Sequence, residues 1–585
     1  MGLPPDVPDV DLPYNARYLT APGYGMTSHA DIFTPRQLTA LTTLSDLVGL
    51  ARERVLEDAL LAGWQNGQRL DSNGVDAEAY ADSVAVYLAL AVSRLVDWSN
   101  ALCGWESTGQ VSQHLFTKQT ISMVWDFSEA NVLGKSSGSF SACLSTMGRS
   151  LKQLGSQGQA EVEQADAGSA ILAHPGAVIS TDPPYYDNVP YADLSDVFYV
   201  WPRKMLGSIL PSLTRTVVTP KEMELVADPQ RHGGKEAAAA YFEVGFQDVF
   251  RQARLATAGT APITIYYAFK QAESDLNGTA STGWETLLGG LISAGWTITG
   301  TWPIRTEMKT RMRGQDSNAL ASSIVLACRP RGDAAEVVAR RGFIQALHQD
   351  LPAALRRLQQ GSIAPVDLAQ AAIGPGMSIF TRYRQIVEAD GSTMTVRTAL
   401  ALINQVLDEV LSEQVGDFDA DTRFCMKWFG QFGWDEAESG TADTLSRATN
   451  TSVAGLDRGG VFRARVGRAR LIPPEEMSGG WDPLADERVS VWEAVVRLAQ
   501  ALNDSGAEEA ARLMAGAGQR VDLDTAKELA YLLYSICEKR RWTQTALMFN
   551  GLGTSWSDLS AAARVGGALT PPPAQGALDF GEDEH

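Results

Sequence analysis

A short apolar run, followed three residues later by two consecutive prolines, constrains the fold of this chain more than any other stretch. Residues 177–179 follow the Pro175-Gly176 turn and predict a short buried strand. The strand leads into Asp182-Pro183-Pro184-Tyr185, and because proline fixes φ and lacks an N–H group, a rigid turn is expected there. Ligands of open α/β sheets bind beyond the carboxyl ends of the strands, so this turn predicts a functional site.

Strand and helix patterns alternate along residues 161–328. The predicted strands are 161–166, 177–182, 263–269, 296–301 and 322–328, and the predicted helices are 192–206, 235–256 and 283–294. This alternation predicts an α/β fold with a parallel, doubly wound sheet. No helix is predicted between the last two strands, which indicates an antiparallel pair at one edge.

The turn at residues 182–185 offers hydrogen-bond acceptors beside an aromatic ring. The Asp182 carboxylate and the carbonyl groups of Pro183 and Pro184 accept hydrogen bonds, and Tyr185 presents a flat face. This combination suits a planar group with an exocyclic NH2, such as a base flipped out of a duplex. The amine nitrogen itself attacks an electrophilic methyl group, so no covalent nucleophile is required.

The tetrapeptide Asp182-Pro183-Pro184-Tyr185 resembles the catalytic motif of the amino-methyltransferases that act on adenine N6 with S-adenosylmethionine. The longer string from Ser180 to Trp201 resembles the large bacterial adenine-specific DNA methylases, a group often found in phage-defence islands. The resemblance implies a Rossmann-like methyltransferase sheet, S-adenosylmethionine as cofactor and DNA as partner. It also implies that Tyr186 and Asn188 shape the pocket for the base.

The half of the fold that binds the cofactor is incomplete in this sequence. In the resembled family an acidic residue at the end of the preceding strand contacts the cofactor's adenine, and Asp166 is the candidate; a solvated aspartate is the alternative. No glycine-rich turn for the cofactor's methionine end is found before Asp166, and the chain resembles the carboxyl portion of the family. We therefore expect a partner subunit to carry the glycine-rich motif, unless the chain is a fragment or an inactive relative.

A basic segment lies between the last two predicted strands. Its four cations fall within nine residues: Arg305, Lys309, Arg311 and Arg313. The net charge of the chain is −20, so nucleic-acid contact requires such a local patch. The segment suits phosphate contact or support of a flipped base, and a solvated charge run is the alternative. Arg231, His232 and Lys235 form a weaker second basic cluster.

The sequence predicts several regions around the Rossmann-like catalytic core at 159–330. These are an extended lead-in (1–30), a helical region packing on the core (31–158), a helical accessory region (331–480), a helical tail domain (481–568) and a disordered acidic tail (569–585). Within the accessory region, a two-strand wing is predicted at 461–466 and 469–472. It carries Arg463, Arg465, Arg468 and Arg470, which is compatible with a small winged-helix-like module that reads DNA.

Metal and membrane functions are not expected. The five cysteines are far apart without a C-x-x-C pair, which predicts reduced buried thiols rather than a zinc site or disulfides. The first residues lack the features of a signal peptide, and the apolar stretch 84–96 is too short to span a bilayer. We therefore expect a cytoplasmic protein.

The sequence predicts the catalytic portion of an S-adenosylmethionine-dependent DNA adenine N6-methyltransferase, completed by a partner subunit. The same turn could act on cytosine N4 or on adenine in RNA. A hypothesis from another class is a non-catalytic DNA-binding or scaffold subunit that retains the motif as a relic.

Overall fold

The computed structural model describes residues 4, 6–154, 160–184, 189–257, 261–267, 282–305, 322–332, 334–361, 363–413, 418–477 and 479–564. Within them the protein has a mixed α/β structure, as predicted. The helices are α1 (Pro35–Leu61), α2 (Ala77–Trp98), α3 (Phe140–Gln153), α4 (Ala167–Ala170), α5 (Tyr191–Leu206), α6 (Lys235–Ala256), α7 (Thr282–Ser293), α8 (Arg340–Gln360), α9 (Pro365–Arg382), α10 (Val396–Glu413), α11 (Ala420–Phe432), α12 (Ser439–Thr449), α13 (Val453–Arg458), α14 (Val491–Asp504), α15 (Ala507–Ala517), α16 (Leu523–Arg540) and α17 (Thr543–Arg564).

The strands are short. They are β1 (Trp105–Glu106), β2 (Val111–Ser112), β3 (Ser180–Thr181), β4 (Ile263–Tyr267), β5 (Trp296–Arg305), β6 (Ser322–Pro330), β7 (Val337–Ala339), β8 (Gln385–Val387), β9 (Ala437–Glu438), β10 (Phe462–Arg465) and β11 (Arg468–Leu471).

The chain divides into two compact units. Unit one comprises Met1–Ala170 and Pro184–Gly245, and unit two comprises Ile171–Pro183 and Phe246–His585. The division cuts through the range 159–330 that was expected to form one core, and the predicted domain boundaries stay a prediction.

The core of unit one is helical. Helix α1 begins at a capping box, in which the Thr34 hydroxyl accepts from the Gln37 amide at 3.2 Å and the Gln37 side chain accepts from the Thr34 amide at 2.8 Å. Helix α2 packs against α1 and contains the fully buried Asp82. The guanidinium groups of Arg52 and Arg69 donate to that carboxylate at 2.6 and 2.9 Å, so the buried charge is paired.

Helix α2 is also both long and apolar. It has 22 residues and a mean hydropathy of 1.4 in its most apolar window, and it alone among the described helices could cross a membrane by length and composition. This is longer than the 84–96 stretch that the sequence suggested. Half of that window is buried inside the protein, as in the core helix of a folded domain.

Unit two contains a four-stranded mixed sheet in the order β3-β4-β6-β5. Strands β3 and β4 are parallel, whereas β6 is antiparallel to both β4 and β5. The predicted antiparallel pair of the last two strands is therefore confirmed, with β5 at the sheet edge. Strand β6 lies between β4 and β5 and runs opposite to both, so among the described strands only β3 and β4 form a parallel pair.

Two predicted strand segments differ from the structure. Residues 161–166 form no strand, and Val162, the one branched apolar residue among charged neighbours, is 96% exposed. Residues 177–179 do not form a buried strand either: Val178 is 72% exposed, and pairing with β4 begins at Ser180. Residues 161–166 contain too few strand-forming residues to be buried in a sheet, and residues 177–179 have a neighbouring strand on one side only among the described residues.

Helix α9 continues through Gly374, Pro375 and Gly376, although glycine and proline are disfavoured inside helices. The two glycines lie where α9 packs most closely. A Cβ atom at Gly374 would overlap Thr301 on β5, and one at Gly376 would lie 2.5 Å from Ile403 Cγ2 on α10. The glycines are needed for close packing rather than for a turn.

The predicted wing is confirmed, and it belongs to a compact module formed by α11, β9, α12, α13, β10 and β11. The strands form a sheet in the order β10-β11-β9, with antiparallel pairing throughout. Helices α12 and α13 are joined by a three-residue turn in which Asn450 adopts a left-handed conformation with φ of 59°. A three-residue turn between two helices is typical of a helix-turn-helix arrangement, so we call this part of the chain the helix-turn-helix module.

Helices α14 to α17 pack on one another after this module, and the predicted tail domain of 481–568 stays a prediction. Residues 565–585, which include the predicted disordered tail, lie outside the described residues. All five cysteines are buried free thiols, as the sequence suggested.

Candidate functional site

The site predicted at the carboxyl end of the 177–182 segment begins with strand β3. Ser180 and Thr181 pair in parallel with Thr264 and Ile265 of β4, and the Thr264 hydroxyl donates to Ser180 Oγ at 3.0 Å. Asp182 is the next residue, so its carboxylate directly follows the end of a strand in a parallel pair. That is the position expected for a ligand-binding residue in an open α/β sheet.

The Asp182 side chain is exposed, and Pro183 and Pro184 are half-buried. Even so, partial desolvation raises the pKa of the Asp182 carboxyl above its usual value of 3.8. A polar group that is accessible and partly desolvated forms stronger hydrogen bonds than one in bulk water. Asp182 is therefore suited to accept a hydrogen bond from a ligand donor.

Strand β3 has an open edge in the described structure. The Ile179 carbonyl accepts from the Thr264 amide at 3.0 Å, so Ile179 and Thr181 turn their backbone groups toward β4. By alternation, the backbone groups of Val178 and Ser180 point away from β4. Among the described residues only β4 pairs with β3, and both Val178 and Ser180 are exposed.

Asp166 does not lie at the end of a strand, which corrects the structural basis of its predicted role. It precedes the short helix α4, where its carboxylate accepts from the Ser169 amide at 2.9 Å and its carbonyl accepts from the Ser169 hydroxyl at 3.1 Å. This is the geometry of a helix cap. The predicted contact of Asp166 with the cofactor stays a prediction.

Several predicted site residues lie outside the described part of the chain. These are Tyr185, Tyr186, Asn188, Lys309, Arg311 and Arg313. Arg305 is the last residue of β5, and its side chain also lies outside the description. Trp302, on the same strand, is 56% exposed, so an aromatic face is accessible near the start of the predicted basic segment.

A buried ion-pair network in unit one, which the sequence reasoning missed, follows the motif. Asp193 and Asp196 lie on α5 and are nearly fully buried. Arg231 donates to Asp193 at 2.7 Å and also pairs with Glu224, while Lys221 donates to Asp196 at 2.7 Å. The pKa of the Asp193 carboxyl is raised because burial outweighs the attraction of Arg231.

The network also fixes the start of α5, because Glu224 accepts from the Ala192 amide at 2.9 Å. Its sequence signal is a pair of aspartates three residues apart on the apolar face of a predicted helix, since buried carboxylates need cationic partners.

The structure changes the interpretation of the weaker basic cluster, which contains Arg231 and His232. Arg231 is engaged with carboxylates instead of being available to phosphate, and the His232 ring stacks on Tyr241 at 4.0 Å between centroids.

No group of three or more His, Cys, Asp or Glu side chains able to hold a metal occurs within the described ranges.

Comparison with known proteins matches residues 419–578 to one family model, described as a domain of unknown function, DUF8807. The match begins at Asp419, the N-cap of α11, and covers the helix-turn-helix module and helices α14 to α17. No curated protein and no solved structure matches the chain significantly.

Proposed function

We propose that the protein is the catalytic portion of an S-adenosylmethionine-dependent DNA adenine N6-methyltransferase with a Rossmann-like sheet. The observation that supports this most strongly is the exposed, partly desolvated Asp182 carboxylate directly after β3, followed by Pro183 and Pro184. The position agrees with the role that the resemblance implies for this motif. The resembled methyltransferase sheet ends in an antiparallel pair of strands, and the pairing of β5 with β6 agrees with that ending.

The proposed roles follow from the chemistry of each side chain. Asp182 and the carbonyl groups of Pro183 and Pro184 accept the hydrogens of the adenine amine, which leaves the nitrogen lone pair free to attack. Tyr185 stacks on the flipped base, and Tyr186 and Asn188 shape its pocket. The basic set holds DNA phosphates near the base: Arg305, Lys309, Arg311 and Arg313.

The cofactor fits the described residues only in part. Asp182 is suited to accept a hydrogen bond from the amine that receives the methyl group. Asp166, however, caps a helix instead of ending a strand. S-adenosylmethionine, when bound, supplies an electrophilic methyl group. We assign most of its binding to a second polypeptide that carries the glycine-rich turn.

The open edge of β3 supports this assignment. A doubly wound sheet consists of two halves that meet at a central pair of strands, and ligands bind at that junction. In the described sheet the strand that leads into Asp182 is an outer strand, and the Val178 and Ser180 backbone groups face outward. A parallel strand from the partner would pair there and bring its following turn beside Asp182.

The test is methyl transfer by the chain alone and with candidate partner subunits encoded nearby. Labelled S-adenosylmethionine and duplex DNA are the substrates, and the methylated nucleosides are identified by mass spectrometry. The proposal predicts N6-methyladenine when the partner is present. Formation of N4-methylcytosine, or of methyladenine only in RNA, would move the assignment to one of the alternative substrates.

A second candidate function is a non-catalytic DNA-binding or scaffold subunit. The observation that favours it is the Asp166 geometry, which gives no cofactor contact at a strand end. Titration of labelled S-adenosylmethionine onto the chain with each partner separates the two functions. Absence of binding in every combination would support the scaffold role.

A further inference from the structure

The hairpin of β10 and β11 has two chemically different faces. On the inner face Phe462, Ala469 and Leu471 are buried. The Phe462 ring packs edge to face on Phe424 and Trp428 of α11, with centroids 5.0 and 4.9 Å apart. These contacts fix the hairpin to the body of the helix-turn-helix module.

The opposite face of the hairpin consists of arginines. Arg463 is directly opposite Arg470 and Arg465 is directly opposite Arg468 in the antiparallel register. Side chains alternate along a strand, so all four guanidinium groups project from the face that is not packed on α11. No acidic residue occurs between Phe462 and Leu471.

Directly opposed like charges destabilise a strand pair unless an anion compensates them. Glu476 compensates the pair formed by Arg463 and Arg470, because it lies 3.5 Å from Arg463 and 2.6 Å from Arg470. The pair formed by Arg465 and Arg468, which we call the outer pair, has weaker charge compensation. Arg468 lies 3.6 Å from the half-exposed Glu436, and Arg465 has no ion-pair partner within the described part of the chain.

The outer arginine pair also lies beside an exposed turn. Val466 and Gly467 form the turn between the strands, both with positive φ, and Val466 is fully exposed. Arg465 and Arg468, on either side of this turn, are exposed as well. Two exposed arginines at directly opposite positions beside a turn are suited to bind an anionic ligand.

We infer that the outer arginines of this hairpin, Arg465 and Arg468, bind backbone phosphates of duplex DNA. A two-stranded ribbon fits a DNA groove, and arginine pairs with phosphate in a bidentate geometry. The helix-turn-helix beside the ribbon favours duplex DNA over other polyanions. The inference assigns a binding role to part of the DUF8807 match, and it holds whether or not the chain transfers methyl groups.

The test measures binding of the full chain to a fluorescently labelled DNA duplex by anisotropy over a series of salt concentrations. The Arg465→Gln/Arg468→Gln variant is compared with an Arg54→Gln/Arg251→Gln control, which removes the same charge from exposed arginines on α1 and α6. We expect the hairpin variant to bind at least about tenfold more weakly at low salt. The slope of log affinity against log salt should fall by about 1.8, the value for two lost phosphate contacts.

Three results would overturn the inference: no salt-dependent binding of duplex DNA by the unchanged chain, equal losses in the two variants, or tighter binding to single-stranded or hairpin RNA than to the duplex. Arg465→Lys/Arg468→Lys should retain most of the affinity, because it keeps both charges. Thermal unfolding of the variants shows whether the exposed substitutions leave the fold intact. Should the hairpin variant unfold early, the single Arg465→Gln variant replaces it, and a salt slope equal to that of the unchanged chain would then overturn the inference.

Discussion

The Arg231 guanidinium donates a hydrogen bond to the Asp193 carboxylate at 2.7 Å, across 38 positions of the chain. Asp193 lies in the first turn of α5, the helix that follows the proposed catalytic turn in the sequence. Arg231 also pairs with Glu224, whose other oxygen accepts from the Ala192 amide. A buried ion pair therefore determines where the helix after the motif begins.

Loss of Arg231 should destabilise unit one strongly. Arg231→Met leaves two carboxylates without their cation, and breaking a buried ion pair from one side costs about 3–5 kcal/mol. Urea unfolding followed by tryptophan fluorescence measures the change. Arg215→Gln, at an exposed position, is the control and should shift stability by less than about 0.5 kcal/mol. Similar losses in both variants would contradict the role of the network.

A methyl group at Gly374 should destabilise unit two. The added Cβ atom of Gly374→Ala overlaps Thr301, and overpacking of this kind costs about 1–3 kcal/mol. Gly430→Ala on α11 is the matched control, because a Cβ atom there meets no atom within 4 Å. The control should be stabilised by up to about 1 kcal/mol from helix propensity. In denaturant unfolding, we expect Gly374→Ala to lower the free energy of unfolding and Gly430→Ala to raise it.

Glu493 should make the stability of unit two depend on pH. Burial raises the pKa of this carboxyl from 4.5 to about 7, helped by Asp486 and opposed by Arg497. Because the folded state binds the proton more tightly than the unfolded state, the extra stability is fully present below pH 4.5. It is lost as the pH rises through about 7, and its size is about 3 kcal/mol.

Unfolding free energies measured between pH 5 and pH 8 test this prediction. Glu493→Gln should remove the decrease between these values, whereas the exposed Glu508→Gln control should keep the profile of the unchanged protein. A Glu493→Gln variant with the same decrease would show that another group is responsible.

The raised pKa of Asp182 predicts a pH effect on catalysis. Acceptance of the amine hydrogens requires the ionised carboxylate, so activity should fall as the pH falls through the folded-state pKa. Since desolvation raises that pKa above 3.8, the loss should begin at a higher pH than for an ordinary aspartate. Rates of methyl transfer by the reconstituted complex, measured against pH, test this prediction. A loss of activity with an apparent pKa at or below 3.8, the usual value for aspartate, would contradict it.

Elements with strong local signals were predictable from the sequence. Thr34-Pro35 marks the start of α1 through its cap, and the amphipathic pattern of α6 matches Lys235–Ala256. The hairpin around Gly467 was also predictable, because alternating arginines and apolar residues flank a turn glycine. In these cases the interactions that decide the structure lie within a few residues of one another.

The differences arise where distant partners decide the structure. An isolated Val162 could not form a strand without a neighbouring strand to pair with, and Gly374 proved to be a packing position only once β5 lay against α9. The location of the candidate site was predictable, because Asp182 and the two prolines are contiguous. The ion-pair network was not, since Asp193 and Arg231 are 38 residues apart and carry no shared local pattern.

The most direct test of the proposed function is the effect of Asp182→Ala on N6-methyladenine formation by the chain together with the proposed partner subunit. Alanine removes the hydrogen-bond acceptor at an exposed position, so we expect loss of at least about 99% of methyl transfer with unchanged unfolding temperature. The Asp58→Ala control, on the exposed side of α1, should retain full activity. Full methyl transfer by the Asp182→Ala variant would contradict the proposed function.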